Sequence, residues 1–181
     1  MIGILQLAKN RLSETANPHG IYVDFTMGRG RDTLFLCQLA PQGKIYAFDV
    51  QQSALDQTAE LLLKNSIDNA ALILDSHERF TDYVPSEIDG GLFNLGFLPG
   101  GDPNVTTQRG STAAAVRLAM RALKHGGALG VAVYPGHEEG RLEGESLQSY
   151  FADIDKKEFD IFIYRLLNIA DAPYMMIIER H

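Results

Sequence analysis

Residues 20–33 read GIYVDFTMGRGRDT, and this stretch decides the fold class. Its first six residues are mostly apolar, which predicts a buried strand. Gly28 and Gly30 follow directly, and because glycine has no Cβ the chain can approach a ligand closely there. Asp32 or Thr33 can then cap the helix that comes next. A strand, a glycine turn and a helix in this order indicate an α/β domain with a ligand at the end of its first strand.

The remainder of the chain alternates between apolar strands and helices. After the first strand, further strands are predicted over residues 44–49, 70–74, 89–95, 128–134, 159–166 and 174–179. Helices are predicted over residues 1–17, 32–39, 53–64, 111–124 and 145–154. The buried face of the helix over 53–64 is expected to consist of Leu55, Ala59, Leu62 and Leu63.

Five strand–helix units followed by two consecutive strands predict the architecture. We expect one α/β domain over residues 1–181, with a mostly parallel seven-stranded sheet and helices on both faces. The last two strands have no helix between them, so they are expected to form an antiparallel hairpin at one edge. This ending differs from ordinary dinucleotide-binding sheets, in which strands and helices keep alternating.

Composition excludes several classes of protein. The chain has 45% hydrophobic and 22% charged residues, as globular proteins do, and its formal net charge is −7. That charge argues against a general affinity of the whole surface for nucleic acid. It leaves open a local basic face, for which the candidates are Arg29, Arg31, Arg109, Arg117 and Arg121.

Other absences narrow the function further. The single cysteine, Cys37, excludes an intrachain disulfide, and no cluster of histidines and carboxylates has metal-ligand spacing. No apolar run reaches the ~20 residues that a membrane-spanning helix needs. The N-terminus lacks the pattern of a signal peptide. A cytoplasmic protein without a metal or a membrane partner is therefore expected.

The ends of the first two strands point to a nucleoside ligand. Asp49 ends the second strand, where a carboxylate can accept hydrogen bonds from both ribose hydroxyls, and Gln51 lies close behind. This pattern is shared by enzymes that bind NAD and enzymes that bind S-adenosylmethionine (SAM). Thr33 stands where the dinucleotide fingerprint has its third glycine, which favours a nucleoside without phosphate, such as SAM.

The ends of the third and fourth strands carry candidates for the adenine and acceptor sites. Ser76 and His77 follow the third strand, where SAM enzymes hold the adenine. Asn94 ends the fourth strand, and Phe97 follows it in the Gly- and Pro-rich stretch NLGFLPGGD. In amino-group methyltransferases such a polar residue holds the attacking nitrogen, and such an aromatic ring packs on the substrate.

Two side chains are candidates for handling a proton. His137, in the segment YPGH after the fifth strand, is the candidate proton acceptor, because a free imidazole has a pKa of about 6.5. A helix-capping or substrate-contacting role for His137 is equally open. Asp24 is an alternative base, although binding the amino group of SAM through water or backbone suits it better.

Five segments together resemble one known family. They are DFTMGRGRDT at 24–33, FDVQ at 48–51, DSHE at 75–78, NLGFLPGGD at 94–102 and YPGHEEG at 134–140. The chain resembles the small bacterial SAM-dependent methyltransferases called rRNA methylases. Members of that family are tRNA methyltransferases that act on the 5-aminomethyl group of 2-thiouridine at the wobble position. The resemblance spans nearly the whole chain.

The resemblance implies a Rossmann-like class I SAM methyltransferase fold, SAM as cofactor, and tRNA, bound at its anticodon region, as partner. It implies that Asn94, Phe97 and His137 serve catalysis. It implies cofactor contacts from Asp24, Thr26, Met27, Gly28, Arg29, Gly30, Asp32, Thr33, Asp49, Gln51, Ser76 and His77. Arg29 either bonds the methionine part of SAM or faces RNA. A basic surface that binds tRNA is expected from Arg29, Arg31, Arg109, Lys9 and Arg11. Whether this surface continues across a homodimer is left open.

Three rival interpretations stay open at this point. An NAD-type oxidoreductase would share the glycine turn and Asp49, but the missing third glycine and the paired terminal strands count against it. A non-catalytic SAM- or RNA-binding module would not need the acceptor stretch that begins at Asn94. A methyltransferase acting on rRNA or on a small amine would share every motif.

Overall fold

The computed structural model describes residues 3–96 and 109–181. Its strands are β1 (Ile21–Asp24), β2 (Lys44–Asp49), β3 (Ala70–Leu74), β4 (Ile88–Asn94), β5 (Leu123–Val133), β6 (Phe159–Tyr164) and β7 (Tyr174–Arg180). Its α-helices are α1 (Ile4–Glu14), α2 (Arg31–Leu39), α3 (Gln52–Lys64), α4 (Arg109–Ala122) and α5 (Glu138–Ala152). A 3₁₀ helix spans His77–Asp82.

The seven strands form one sheet in the order β3-β2-β1-β4-β5-β7-β6. The first five strands in that order are parallel, and β7 runs antiparallel to both β5 and β6. The fold class predicted from the sequence, including the antiparallel C-terminal hairpin, is confirmed. The strand order reverses between β1 and β4, and in such sheets the ligand crevice opens beyond the carboxyl ends at this point.

Helices cover both faces of the sheet. Leu12 of α1, Leu36 of α2 and Leu62 of α3 are buried in the core on one face. Phe80 of the 3₁₀ helix, with residues of α4 and α5, fills the core on the other face. The sheet is therefore the middle of three layers, as the pattern of strands and helices predicts.

Two glycines in the sheet let α1 pack closely on it. A Cβ at Gly130 in β5 would lie 2.5 Å from the Cβ of Ala8, and one at Gly90 in β4 would lie 2.6 Å from Cδ2 of Leu12. Gly90 lies near the beginning of β4, whereas Gly130 lies farther along β5. The helix therefore runs from the carboxyl edge of the sheet towards its amino edge.

The structure corrects the predicted buried face of α3. Ala54, Thr58 and Leu62 are buried, whereas Leu63 is 79% exposed and Ala59 is exposed. The buried residues follow one another at intervals of four, so the helix lies against the sheet along one narrow stripe. Leu62 is buried as predicted and Leu55 partly so, but counting apolar residues alone missed Thr58, which lies at the centre of the buried face.

The boundaries around β5 also differ from those predicted. Helix α4 ends at Ala122 and the chain enters β5 at Leu123 without a connecting loop. The register with β4 then shifts, because Ile88 pairs with Leu123 whereas Gly90 pairs with Ala128. Gly126 has a φ of 79°, which glycine adopts readily, so the shift in register is accommodated at Gly126 and Gly127 inside the strand. Helix α5 begins at Glu138, seven residues before the predicted start.

Candidate cofactor and acceptor site

The glycine turn joins the end of β1 to the start of α2. The backbone N–H of Met27 donates to the carbonyl oxygen of Phe48 at 2.8 Å, which ties the turn to β2. Gly28 and Gly30 have φ of 54° and 76°, which favour glycine. A Cβ at Gly30 would lie 2.7 Å from the side chain of Thr58, so α3 also leaves no room for a larger residue there.

Asp24 stabilises the turn from inside. Its Oδ1 accepts a hydrogen bond from the backbone N–H of Thr26 at 3.1 Å, and its Oδ2 accepts one from the hydroxyl of Thr33 at 2.6 Å. Burial, and then the nearby charge of Asp32, raise the pKa of Asp24 to about 7, although both hydrogen bonds act in the opposite direction. Asp24 is only 1% exposed, so the surrounding chain leaves it little surface for a direct bond to a ligand.

Asp49 links the turn to α3. Its Oδ2 accepts from the backbone N–H of Gly28 at 2.9 Å, and its Oδ1 accepts from that of Gln51 at 3.0 Å. A carboxylate has about four acceptor positions, so two remain for ligand hydroxyls. The side chain is only partly buried at the carboxyl end of β2. Asp49 therefore has the position and the acceptor capacity expected of a ribose ligand.

An ion pair between Lys9 and Asp32 was not predicted from the sequence. The Nζ of Lys9 lies 2.6 Å from Oδ1 of Asp32 and 5.0 Å from the centre of the Phe35 ring. Asp32 lies in the first turn of α2, so the pair fastens α1 to the helix that follows the glycine turn. Nothing in the sequence brings residue 9 next to residue 32, because their proximity depends on the packing of α1 on the sheet.

The expected basic surface is corrected by these contacts. Lys9 forms an ion pair with Asp32. Arg11 forms a bidentate ion pair with Glu179 and a second ion pair with Glu14. Both cations are therefore matched by carboxylates of the same chain. Arg29 and Arg31 are exposed on the turn and at the start of α2. The side chain of Arg109 lies outside the described part of the structure.

His77 is fixed beneath the turn. Its Nδ1 lies 3.0 Å from the carbonyl oxygen of Phe25. Because a carbonyl only accepts, Nδ1 carries the proton, and burial lowers the pKa of His77 so that the ring stays neutral. Nε2 is then an acceptor, and it is buried without a hydrogen-bond partner in the described part of the chain. The ring is packed edge-on against Phe93, which precedes Asn94.

Ser76 begins the 3₁₀ helix that carries His77. Its hydroxyl accepts from the backbone N–H of Glu78 at 3.5 Å. Asp75, just before it, accepts from the hydroxyl of Tyr83 at 2.6 Å and pairs with Arg79 at 3.0 Å. These bonds order the segment after β3, where the sequence places adenine. Direct adenine contact by Ser76 or His77 stays a prediction.

Asn94 lies next to the glycine turn. Its backbone N–H donates to the hydroxyl oxygen of Thr26 at 2.7 Å, so the end of β4 is joined to the end of β1. The amide side chain is partly buried. Phe97, the expected aromatic partner, lies outside the described residues, as does the rest of the NLGFLPGGD segment after Gly96. The contact with Thr26 places Asn94 where the crevice is expected to open.

Two residues after β5 complete this edge. His137 caps α5, since its Nδ1 accepts from the backbone N–H of Gly140 at 3.0 Å. The neutral ring then carries its proton on Nε2, so accepting a further proton at Nδ1 would break the cap. Of the roles left open by the sequence, the geometry fits the helix cap.

Tyr134, which sequence reasoning did not select, is half-buried, with its ring 4.0 Å from the Cβ position of Gly96.

Two absences apply to residues 3–96 and 109–181. No group of three or more histidine, cysteine or carboxylate side chains is arranged to hold a metal ion. None of the helices in this part of the chain is long and apolar enough to span a membrane.

Solved structures that resemble this one define the class. A methyltransferase from Streptococcus mutans, solved in complex with S-adenosylhomocysteine, is 36% identical, with a TM-score of 0.92 over 100% of this chain and 99% of that one. A protein from Clostridium thermocellum described as a "putative rRNA-methylase" is 29% identical, with a TM-score of 0.96 over the same shares of the two chains. By its fold and by its likeness to these two structures, the protein belongs to the class of SAM-dependent methyltransferases.

The sequence comparisons then define the family. Residues 45–179 match the family described as "Putative rRNA methylase", and the chain belongs to that family. A chloroplastic tRNA (mnm(5)s(2)U34)-methyltransferase of Arabidopsis thaliana is 30% identical over 166 residues, which cover 85% of this chain and 61% of that protein. A ribosomal RNA small subunit methyltransferase H of Mesomycoplasma hyopneumoniae is 38% identical over 84 residues, 44% of this chain and 28% of that one. The chain thus spans less than two thirds of either protein.

Proposed function

We propose that this protein transfers the methyl group of SAM to the 5-aminomethyl group of 2-thiouridine at the wobble position of tRNA. The observation that carries the proposal is the bond between the backbone of Asn94 and the hydroxyl of Thr26. It joins Asn94, at the end of β4, to the turn that is expected to hold the sulfonium end of SAM. The Arabidopsis relative, named for this modification, supports the choice of acceptor.

The proposed transfer is a displacement at the methyl carbon. The amine nitrogen forms a bond to that carbon as the bond to sulfur breaks, leaving S-adenosylhomocysteine and a methylated ammonium that loses a proton to solvent. The nitrogen must first be neutral, and partial burial in the crevice favours the neutral form. The carbonyl oxygen of Asn94 accepts one N–H, which directs the lone pair at the methyl group. Catalysis therefore relies mainly on positioning.

The RNA is proposed to reach the crevice across Arg29 and Arg31. Both are exposed at the carboxyl edge of the sheet, close to the turn. The anticodon loop is the segment of tRNA that would enter, because it carries the wobble base. A cytoplasmic location stays a prediction from the sequence.

The test is mass spectrometry of nucleosides from cells that lack the gene. Loss of the terminal methyl on wobble uridine, restored by the wild-type gene and not by an Asn94→Ala gene, is the expected result. An unchanged wobble nucleoside would contradict the proposal. Analysis of rRNA from the same cells tests the second candidate, which the family description and the Mesomycoplasma relative favour.

A further inference from the structure

Lys9 and Asp32 form a largely buried ion pair beside the glycine turn. Nζ of Lys9 lies 2.6 Å from Oδ1 of Asp32, and the two side chains are only 17% and 10% exposed. The same Nζ lies 5.0 Å from the centre of the Phe35 ring, a contact that also favours the cation. Because water screens such a pair less than it screens a surface pair, its charges act on the groups around it.

Asp24 is the group on which this pair acts. Its Oδ2 accepts a hydrogen bond at 2.6 Å from the hydroxyl of Thr33, which follows Asp32 in α2. Burial raises the pKa of Asp24 to about 7, and the negative charges of Asp32 and Asp49 act in the same direction. Near neutral pH the carboxyl group is therefore close to half ionised, and a change in the charge around Asp32 alters that fraction.

Ionisable side chains from several elements surround the two carboxylates of β1 and α2. Burial raises the pKa of Cys37 to about 12 and also raises the pKa of Tyr134, so both side chains are neutral at physiological pH. Arg29 and Arg31 nearby are exposed, so water screens their charges. In the described part of the chain, Lys9 is therefore the cation that forms an ion pair with this group.

We propose that Lys9 is a positioning residue of the cofactor site, which acts through Asp32 to keep the carboxylate of Asp24 ionised beside the turn. SAM has a positively charged amino group, and the turn is where that group is expected to bind. An ionised Asp24 attracts it across the backbone of the turn, so no direct bond is required. The proposal rests on SAM as cofactor and not on the identity of the methyl acceptor.

Carbon-13 NMR of the aspartate carboxyl groups tests the effect on Asp24 in the protein without ligand. The resonance of Asp24 is identified by its absence in Asp24→Asn. Lys9→Met keeps the length of the side chain and removes its charge, so the midpoint of the Asp24 titration should rise by about one pH unit. Lys9→Arg restores the charge and should return the midpoint close to the wild-type value.

Two comparisons separate this effect from a loss of helix packing. Arg11→Met is the matched control, because it removes a cation of α1 that pairs with Glu179 and Glu14 and not with Asp32. It should leave the midpoint unchanged. In an Asp32→Asn background the route through Asp32 is absent, so adding Lys9→Met should move the midpoint less than about half as far. Melting temperatures show whether each variant folds.

Binding of S-adenosylhomocysteine tests the consequence for the cofactor site. This ligand carries the same amino group as SAM, and it is bound in the related structure from Streptococcus mutans. Wild-type affinity should rise with pH through about 7, as Asp24 ionises. Lys9→Met should bind about fivefold more weakly at pH 7, because the ionised fraction of Asp24 falls from about one half to about one eleventh. At pH 8.5 the two affinities should agree within about twofold, since Asp24 is then mostly ionised in both proteins. Calorimetric titration at each pH gives the affinities.

Four outcomes would overturn the proposal. An unchanged midpoint in Lys9→Met shows that Lys9 does not act on Asp24. An equal rise in Arg11→Met assigns the effect to the docking of α1. A full effect of Lys9→Met in the Asp32→Asn background excludes the route through Asp32. Weakening of ligand binding by the same factor at every pH leaves Lys9 with a structural role alone.

Discussion

Asp49 accepts two backbone N–H groups and still has acceptor capacity for a ligand. Asp49→Ala should weaken SAM binding at least about tenfold, because hydrogen bonds to a charged group contribute ~1.5–3 kcal/mol. Calorimetric titration measures this directly. Asp56→Ala is the control, since Asp56 is an exposed carboxylate of α3 that contacts Gln52. Equal affinity of Asp49→Ala and wild type would contradict the ribose assignment.

Asn94 is expected to act through its side chain alone. Its contact with Thr26 uses the backbone N–H, so Asn94→Ala keeps the junction of β1 and β4. SAM affinity should stay within about twofold, while methyl transfer falls by ~10²-fold or more through lost positioning of the amine. Single-turnover transfer from labelled SAM to tRNA gives the rate. Unchanged turnover would remove Asn94 from the mechanism.

Asp24 should make stability depend on pH. Its folded-state pKa, about 7, lies above the ordinary aspartate value of 3.8, so the folded protein keeps a proton that the unfolded chain has lost. Stability from this group therefore falls as pH rises from about 4 to about 7, and changes little above that range. Between pH 5 and 7.5 the melting temperature of wild type should fall relative to that of Asp24→Asn. Parallel curves for the two proteins would show that Asp24 ionises normally.

Helix α5 approaches the sheet through its glycines. A Cβ at Gly144 would clash with the hydroxyl of Tyr174, which also accepts a hydrogen bond from Gln148 at 2.9 Å. Gly144→Ala should destabilise the fold by about 1–3 kcal/mol, as overpacking does. Urea unfolding would measure the loss. Gly110→Ala in α4 is the control, because no atom of the described residues lies within 4 Å of its Cβ position, and there alanine should be neutral or stabilising.

A second substitution tests the cause of that loss. Tyr174→Phe removes the clashing hydroxyl, so the double variant should be less destabilised than the sum of the two single variants by at least about 0.5 kcal/mol. Additive losses would mean that the helix shifts for another reason.

The elements were predicted well where hydrophobic periodicity is strong, and less well where tertiary contacts decide. All seven strands were found, because buried strands are short apolar runs bounded by turn residues. The face of α3 was misjudged, since Thr58 is buried against the glycine turn and Leu63 is not. The early start of α5 depends on the cap by His137, which sequence alone left among several roles.

At the candidate site, local motifs were informative and distant contacts were not. Asp49 and Asn94 could be selected because each ends a strand, and the ends of parallel strands share one edge. Tyr134 also ends a predicted strand and was overlooked. Lys9 could not be selected as the partner of Asp32, because it reaches this region through the packing of α1 on the sheet. The cofactor roles of the predicted residues remain predictions, to be tested as above.

For the whole molecule, RNA binding should be local and moderately sensitive to salt. The chain has a net charge of −7, and Lys9 and Arg11 are matched by carboxylates. Arg31→Glu should weaken tRNA binding several-fold. It should also reduce the slope of log affinity against log salt concentration by about one to two, which corresponds to one to two phosphate contacts. Lys64→Glu, at the far end of α3, should change neither quantity. Fluorescence anisotropy at several salt concentrations measures both, and equal effects would contradict the Arg29–Arg31 path.

The docking of α1 has a consequence for synthesis of the chain. Ala8 packs on Gly130, and Arg11 pairs with Glu179, which is translated 168 residues later. The apolar stripe of α1 therefore stays exposed during synthesis until β5 and β7 have been translated. Because Lys9 reaches Asp32 only when α1 docks, the segment after the glycine turn acquires this support late in folding.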